Sequence, residues 1–284
     1  MLSWCANDDD FLAAIKLHQP AMDAADAHVE ALERLDGYCS VCESITRFDV
    51  ATGVMLGTHP SLREGIRCPG CGLINRNRLL FDAIRSVGPD RLCAGLILEA
   101  TTALYVELSR RWPWLEGSEY FGDDYAPGQL VEFRGRQVAH RSITQIGLPD
   151  ESLDLVVHND VLEHVADTAK ALRECSRVLR PGGVCVFTMP FFPYRATGLL
   201  RGRIQADGSI EHIEPPEYHG DGIRAEGIYT FHHFGMDLLP LARTSGFSRV
   251  EAGIDFDVYR GYTTNNHRYG LEALMPPIVF RAWK

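Results

Sequence analysis

From residue 92 onward, short apolar runs alternate with amphipathic stretches, and this alternation restricts the chain more than any other feature. "LCAGLILEA" is almost wholly apolar, "TTALYVELSRRW" has the period of a helix, and "WLEGSEYFG", "RQVAHRSI" and "LDLVVHND" each read as strands. The helix "DTAKALRECSRVLR" follows, then the turn "PGG" and the strand "VCVFTMPFF". Buried strands separated by helices of about ten to fifteen residues make βαβ units, which assemble into a parallel sheet. Late in the chain, "FSRVEAGIDF" and "PPIVFRAWK" read as two more strands with no clear helix between them. An antiparallel strand at the far edge suits them. The expected class is α/β with a mostly parallel sheet.

Upstream of this domain, residues 8–36 carry a capping signal at Asp8 to Asp10. Apolar residues follow at helical spacing (Phe11, Leu12, Ile15, Met22, Val29, Leu32, Leu35), interrupted at Pro20. Two short helices are expected, forming an arm over residues 1–36. Residues 37–78 contain Cys39 and Cys42 in one C-x-x-C and Cys68 and Cys71 in another, with 25 residues between the pairs. Each such turn aims two sulfurs at one point, so the four thiolates are expected to hold a structural zinc ion. A filled tetrahedron leaves no position to activate water. "FDAIRSVG" reads as a helix joining this module to the domain at 79–284. Of the eight cysteines, Cys5, Cys93, Cys175 and Cys185 stand in apolar surroundings and are expected to be buried as small hydrophobes.

At 284 residues and 45% hydrophobic content the chain can bury a substantial core. Apolar runs stay well short of the roughly 20 residues a membrane helix needs. The opening "MLSWCANDDDFLAA" has acids where a signal peptide would be basic, so a cytoplasmic location is expected. A formal net charge of −10 argues against a broad nucleic-acid surface, because phosphate binding draws on Lys and Arg.

Residues 148–192, "LPDESLDLVVHNDVLEHVADTAKALRECSRVLRPGGVCVFTMPFF", resemble the central block of class I S-adenosylmethionine-dependent methyltransferases of the type 11 kind. The shared pieces are "LPDESLD" leading into the fourth strand, an acidic residue at that strand's end, an "LEHV" helix start, and "RVLRPGG" before the fifth strand. The resemblance implies a Rossmann-like seven-stranded sheet in the order 3-2-1-4-5-7-6. S-adenosylmethionine would lie across the carboxyl ends of strands one, two and four, where open α/β sheets bind ligands.

The same family carries E/D-x-G-x-G-x-G after strand one. Here Glu99 opens "EATTALY", with Thr101, Ala103 and Tyr105 at the glycine positions. Thr and Ala tolerate a close approach of backbone to ligand; Tyr105 must turn into helix packing or into the pocket. Glu119 in "GSEYFG" stands 20 positions beyond Glu99, where an acidic side chain accepts both ribose hydroxyls. The resemblance therefore implies a cofactor site at Glu99, Ala100, Thr101, Glu119 and Tyr120. Ser142 and Ile143 stand where members contact the adenine, and Asn159 and Asp160, with His158, at the end of strand four. Asp160 reads equally well as a helix N-cap.

The substrate side is expected in residues 212–235, which hold His212, His219, His232 and His233 beside Glu217, Tyr218 and Tyr229. A hydroxyl acceptor has to lose a proton, and histidine titrates near neutrality. His219 is the first candidate base, with His232 and His164 after it, and a second metal site among these histidines stays open. The leading expectation is methylation of a small-molecule or saccharide acceptor on oxygen or nitrogen. Two other classes stay open. One is an RNA methyltransferase gripping nucleic acid through Arg63, Arg67, Arg76 and Arg78 around the knuckles. The other is an S-adenosylmethionine-binding protein with different chemistry or none.

Overall fold

Strands that are apolar on both faces need cover on both sides, and the architecture follows from that demand. The computed structural model describes residues 2–50, 55, 56, 59–264 and 266–284. Nine strands form the main sheet: β1 (Ser3–Cys5), β2 (Gly95–Ile97), β3 (Leu115–Glu119), β4 (Leu130–Phe133), β5 (Arg136–His140), β6 (Leu153–Asn159), β7 (Leu179–Thr188), β8 (Arg249–Ile254) and β9 (Ile278–Trp283). Their spatial order is β4-β5-β3-β2-β6-β7-β9-β8-β1. Pairs β5–β3, β3–β2, β2–β6 and β6–β7 are parallel, whereas β7–β9, β9–β8, β8–β1 and β5–β4 are antiparallel.

Seven of these strands reproduce the expected order 3-2-1-4-5-7-6; the sheet has nine because two short edge strands join it. β4 pairs back on β5 through Arg134 and Gly135, both at positive φ, the geometry of a two-residue hairpin turn. β1 is only three residues long and carries no periodicity to read. The antiparallel strand β9 also lies inside the sheet between β7 and β8, not at the edge.

Alternate residues of the central strands supply two cores. Val156, Cys185 and Phe187 pack on the side of helix α4 (Thr168–Val178) and α5 (Leu238–Thr244). Leu155, Val157, Val184 and Val186 face α2 (Asn75–Ser86) and α3 (Ala103–Arg111). This is the doubly wound arrangement.

The N-terminal arm is one helix, α1 (Asp8–Glu30), rather than two. Phe11, Ile15, Gln19, Met22, Asp26 and Val29 form a single buried stripe that stays in phase across Pro20. Pro20 itself faces solvent, so the carbonyl its missing N–H leaves unpaired lies on the face open to water. The amino half of α1 packs into the sheet core, and Val29 belongs to a third cluster under the cysteine hairpin. That hairpin pairs Arg34–Cys39 with Ser44–Asp49. Helix α2 begins at Asn75, so the expected boundary at 78/79 runs through a helix that packs on the sheet.

Candidate active site

The first turn after β2 needs no glycine. Among the described residues, only Glu43, Arg134, Glu151 and Asp160 are non-glycines with positive φ, so Ala100 to Tyr105 stay in ordinary backbone territory. Side chains close the turn instead. Thr102 caps α3, accepting from the Tyr105 N–H at 3.2 Å. Its hydroxyl donates to Glu99 Oε1 at 2.5 Å, and Asn159 Nδ2 donates to Glu99 Oε2 at 3.1 Å. Glu119, at the end of β3, accepts from the Ala100 N–H at 3.1 Å and the Thr101 hydroxyl at 3.0 Å, both on Oε2. Two carboxylates thus brace what glycines would otherwise let bend. Burial pushes both carboxyls above the usual glutamate range.

A cleft of about 670 Å³ opens here, over the carboxyl ends of β2, β3 and β6. Glu99, Thr101, Glu119, Asn159 and Asp160 all border it, and Ala100 lies just beneath through its bond to Glu119. Asp160 is not an N-cap: it takes positive φ at the strand end and pairs with Arg63 Nη1 at 3.0 Å and Arg76 Nε at 3.3 Å. Burial alone would raise its carboxyl, but the two guanidiniums hold it well below the ordinary aspartate value. The Thr188 hydroxyl donates to both Asn159 and Asp160, and Arg76 donates to Asn159 Oδ1.

Four expected residues fall outside the cleft wall. Ile143 is core. Ser142 shares a hydrogen bond with Thr144 at 2.9 Å. Tyr120 donates to Asp123 at 2.5 Å and stacks under Arg224. His158 points into the core and stacks on Phe187 with centroids 4.7 Å apart; burial lowers its imidazole to about 3.

The far wall is the short hairpin Tyr218–His219 with Ile228–Tyr229, which brings His219 beside His164 of the turn Leu162–His164. Their rings meet edge to face at 4.9 Å. His219 Nε2 bonds Glu217 Oε1 at 3.1 Å, and His233 holds the same carboxylate at 3.0 Å. His232 bonds the Ala166 carbonyl at 3.3 Å and stacks on Phe234, away from the cleft. His212 bonds the Tyr229 hydroxyl.

Glu163, inside "LEHV", carries no signal in the sequence that sets it apart as a site residue. The residue is completely buried, between the two cleft histidines. Burial, reinforced by Asp160, pushes its carboxyl well above the glutamate range. Arg63, Glu64 and Arg76 also reach the cleft, which no local pattern announces. Of the four arginines around the knuckles, Arg67 alone is exposed. Arg63 and Arg76 pair inside the cleft, and Arg78 is fully buried over Phe48, donating to the carbonyls of Ile66, Leu73 and Arg260.

The four cysteine sulfurs converge. Cys39 and Cys71 Sγ stand 3.8 Å apart, as do Cys42 and Cys68, and all four lie within 4.8 Å of one another. Tetrahedral zinc with bonds of about 2.3 Å separates its sulfurs by about 3.8 Å, so the donor set fits that ion. Among the other cysteines, Cys175 and Cys185 are buried, Cys5 is half-buried, and Cys93 is exposed with its thiol against Asp154, contrary to expectation. No helix among the described residues is long and apolar enough to cross a membrane.

This sheet order, with its cleft at the switch point, defines the class I methyltransferase fold. Residues 107–187 match the family model described as a methyltransferase domain. A protein of Mycolicibacterium smegmatis named as a probable S-adenosylmethionine-dependent methyltransferase is 32% identical over 180 residues, covering 61% of this chain and 66% of that one. The malonyl-[acyl-carrier protein] O-methyltransferase of Serratia marcescens is 40% identical over 80 residues, covering 26% and 31%. Among solved structures, an S-adenosylmethionine-dependent methyltransferase from Mesorhizobium loti is 18% identical with a TM-score of 0.43, covering 72% of this chain and 98% of that one. Over residues 107–187 the chain is thus similar to a methyltransferase domain, and the sheet around that stretch has the methyltransferase strand order. The chain spans just under two thirds of the first of these curated relatives and about a third of the second.

Proposed function

We propose that this chain transfers a methyl group from S-adenosylmethionine to a hydroxyl or amine of a small-molecule or saccharide acceptor. Glu119 carries the reading. Its Oε2 accepts from the Ala100 N–H and the Thr101 hydroxyl of the first turn, and the side chain borders the cleft. A carboxylate that borders the cleft at the end of the second sheet strand is suited to accept ribose hydroxyls. Glu99, Ala100 and Thr101 would form the floor beside it, and Asn159 and Asp160 would face the amino-acid half. Tyr120, Ser142 and Ile143 do not line the cleft as the side chains stand.

When bound, the cofactor supplies a sulfonium methyl already activated for in-line displacement. The chain's own residues then have to align the acceptor, exclude water and, for a hydroxyl, remove a proton. His219, oriented by Glu217, and His164 beside it stand across the cleft from Glu119 and fit that last task. His232, turned away, does not. We further infer that Cys39, Cys42, Cys68 and Cys71 hold a structural zinc ion, keeping the hairpin in place so that the following segment can deliver Arg63 and Arg76 to the cleft. The cysteine geometry supports this. The acidity of the chain and the inward arginines favour a small acceptor over RNA.

Titration calorimetry with S-adenosylmethionine and S-adenosylhomocysteine tests the reading. One binding site for each is expected, and no binding of either would overturn it.

A further inference from the structure

Glu163 is completely buried, and neither of its carboxylate oxygens has a hydrogen-bond partner among the described residues. An unpaired buried carboxylate is costly, so the groups facing it hold the explanation. His164 Nδ1 lies 2.9 Å from the Tyr229 carbonyl oxygen, which can only accept. Nδ1 therefore carries the proton, and Nε2 presents its lone pair toward Glu163 Oε1 at 3.7 Å. His219 Nε2 lies 3.1 Å from Glu217 Oε1, again an acceptor, so Nδ1 presents its lone pair toward the same Glu163 oxygen at 3.9 Å.

Two imidazole lone pairs and a carboxyl group thus converge, and no proton except the carboxyl's own is available to lie between them. The gaps are too wide for a hydrogen bond. They suit a larger cation: ligands at about 2.1 Å in a tetrahedron stand about 3.4 Å apart, a few tenths less than these distances. The outer bonds strengthen the argument. Metal-ligating histidines give their second N–H to a carboxylate or a backbone carbonyl, and His219 and His164 show one of each. Glu217 is itself anchored by His233 at 3.0 Å and Arg201 at 3.3 Å, so the orienting shell is built.

We propose that Glu163, His164 and His219 bind a divalent transition-metal ion, distinct from the four-cysteine site, with an open position toward the cleft. Two imidazoles and one carboxylate are a donor set for zinc, manganese, cobalt or iron(II) rather than for calcium or magnesium. The role of the ion, unlike its site, rests on the methyl-transfer reading: an acceptor hydroxyl on the open position would be acidified, so His219 would act through the metal and not as a free base.

The test uses the full chain with its cysteine site filled by zinc, titrated with Co²⁺ and followed by visible absorption and calorimetry. One further equivalent of Co²⁺ is expected, without thiolate-to-metal charge transfer. His219→Ala and Glu163→Gln should each weaken it at least about tenfold, and Glu217→Gln by about 10- to 100-fold. His219 is partly exposed, so its substitution leaves the core intact even where Glu163→Gln fails to fold. No second equivalent, or parental affinity in His219→Ala, would overturn the site. Calorimetry with S-adenosylmethionine on the same protein separates the two readings. Metal uptake without cofactor binding removes only methyl transfer, and cofactor binding without uptake removes only the metal.

Discussion

Tyr105 lies flat against Gly117: a Cβ on that glycine would stand 2.6 Å from Tyr105 Cζ. The ring that occupies a family glycine position thus packs from α3 onto β3, out of the cleft. Gly117→Ala should destabilise the fold by about 1 to 3 kcal/mol through overpacking, measured by urea unfolding. In a Tyr105→Leu background the same change should cost clearly less. Equal costs in both backgrounds would show that the ring is not what the glycine accommodates.

Glu119 is the second target. Glu119→Ala should lower S-adenosylmethionine affinity at least about tenfold, since charge-assisted hydrogen bonds contribute about 1.5 to 3 kcal/mol each. Thr101→Val keeps the shape but removes one brace on Glu119, and a several-fold loss is expected. Calorimetry reads both; an unchanged dissociation constant in Glu119→Ala would remove the ribose assignment and leave the fold untouched.

Purified protein should contain one tightly held zinc on Cys39, Cys42, Cys68 and Cys71. Cys68→Ser should lose it, and chelation should lower the thermal midpoint, because metal binding stabilises the hairpin. Elemental analysis without stoichiometric zinc would refute this.

Once an acceptor is known, His219→Ala should cut kcat by about 10²- to 10⁴-fold while cofactor affinity stays within a few-fold of the parent. His232→Ala should keep most of the rate. A near-parental rate in His219→Ala would take that residue out of the chemistry.

Glu30 ties the end of α1 to the C-terminal segment, accepting from Arg268 Nε at 2.7 Å and lying 2.7 Å from His267 Nε2. Burial opposes its ionisation, but the Arg268 hydrogen bond and charge, with His267, set its carboxyl below the usual glutamate value. A depressed carboxyl stabilises the fold above the unfolded value of 4.5 and loses that contribution as pH falls through the folded one. Glu30→Gln should therefore be less stable than the parent at neutral pH, with the gap closing in acid. A gap independent of pH in urea unfolding would contradict the assignment.

Much of the site was legible because its geometry is local to strand ends. Glu99, Glu119 and Asn159 reach the cleft because β2, β3 and β6 end beside one another, a consequence of strand order. Ser142 and Ile143 do not line the cleft, for the opposite reason. The segment after β5 folds back on itself, with Ser142 bridged to Gln145 and Ile143 drawn into the core. An apolar residue beside a loop satisfies either position, and burial energy decided it.

The sequence by itself determined the α/β class with a mostly parallel sheet, since apolar strands alternating with amphipathic helices must be covered on both faces, and the family resemblance supplied the strand order. It also determined the cysteine convergence, which two C-x-x-C turns impose wherever they meet. Tertiary structure decided the rest. Pro20 sits within one helix because the buried stripe of α1 stays in phase and Pro20 faces water. Arg78 became a buried brace rather than a surface charge because three carbonyls wait for it. His219 came to face His164 and Glu163 because Tyr229 of its hairpin accepts from His164, whereas His232 turns to the Ala166 carbonyl. Contacts between residues so far apart in sequence come from packing, which no local pattern encodes.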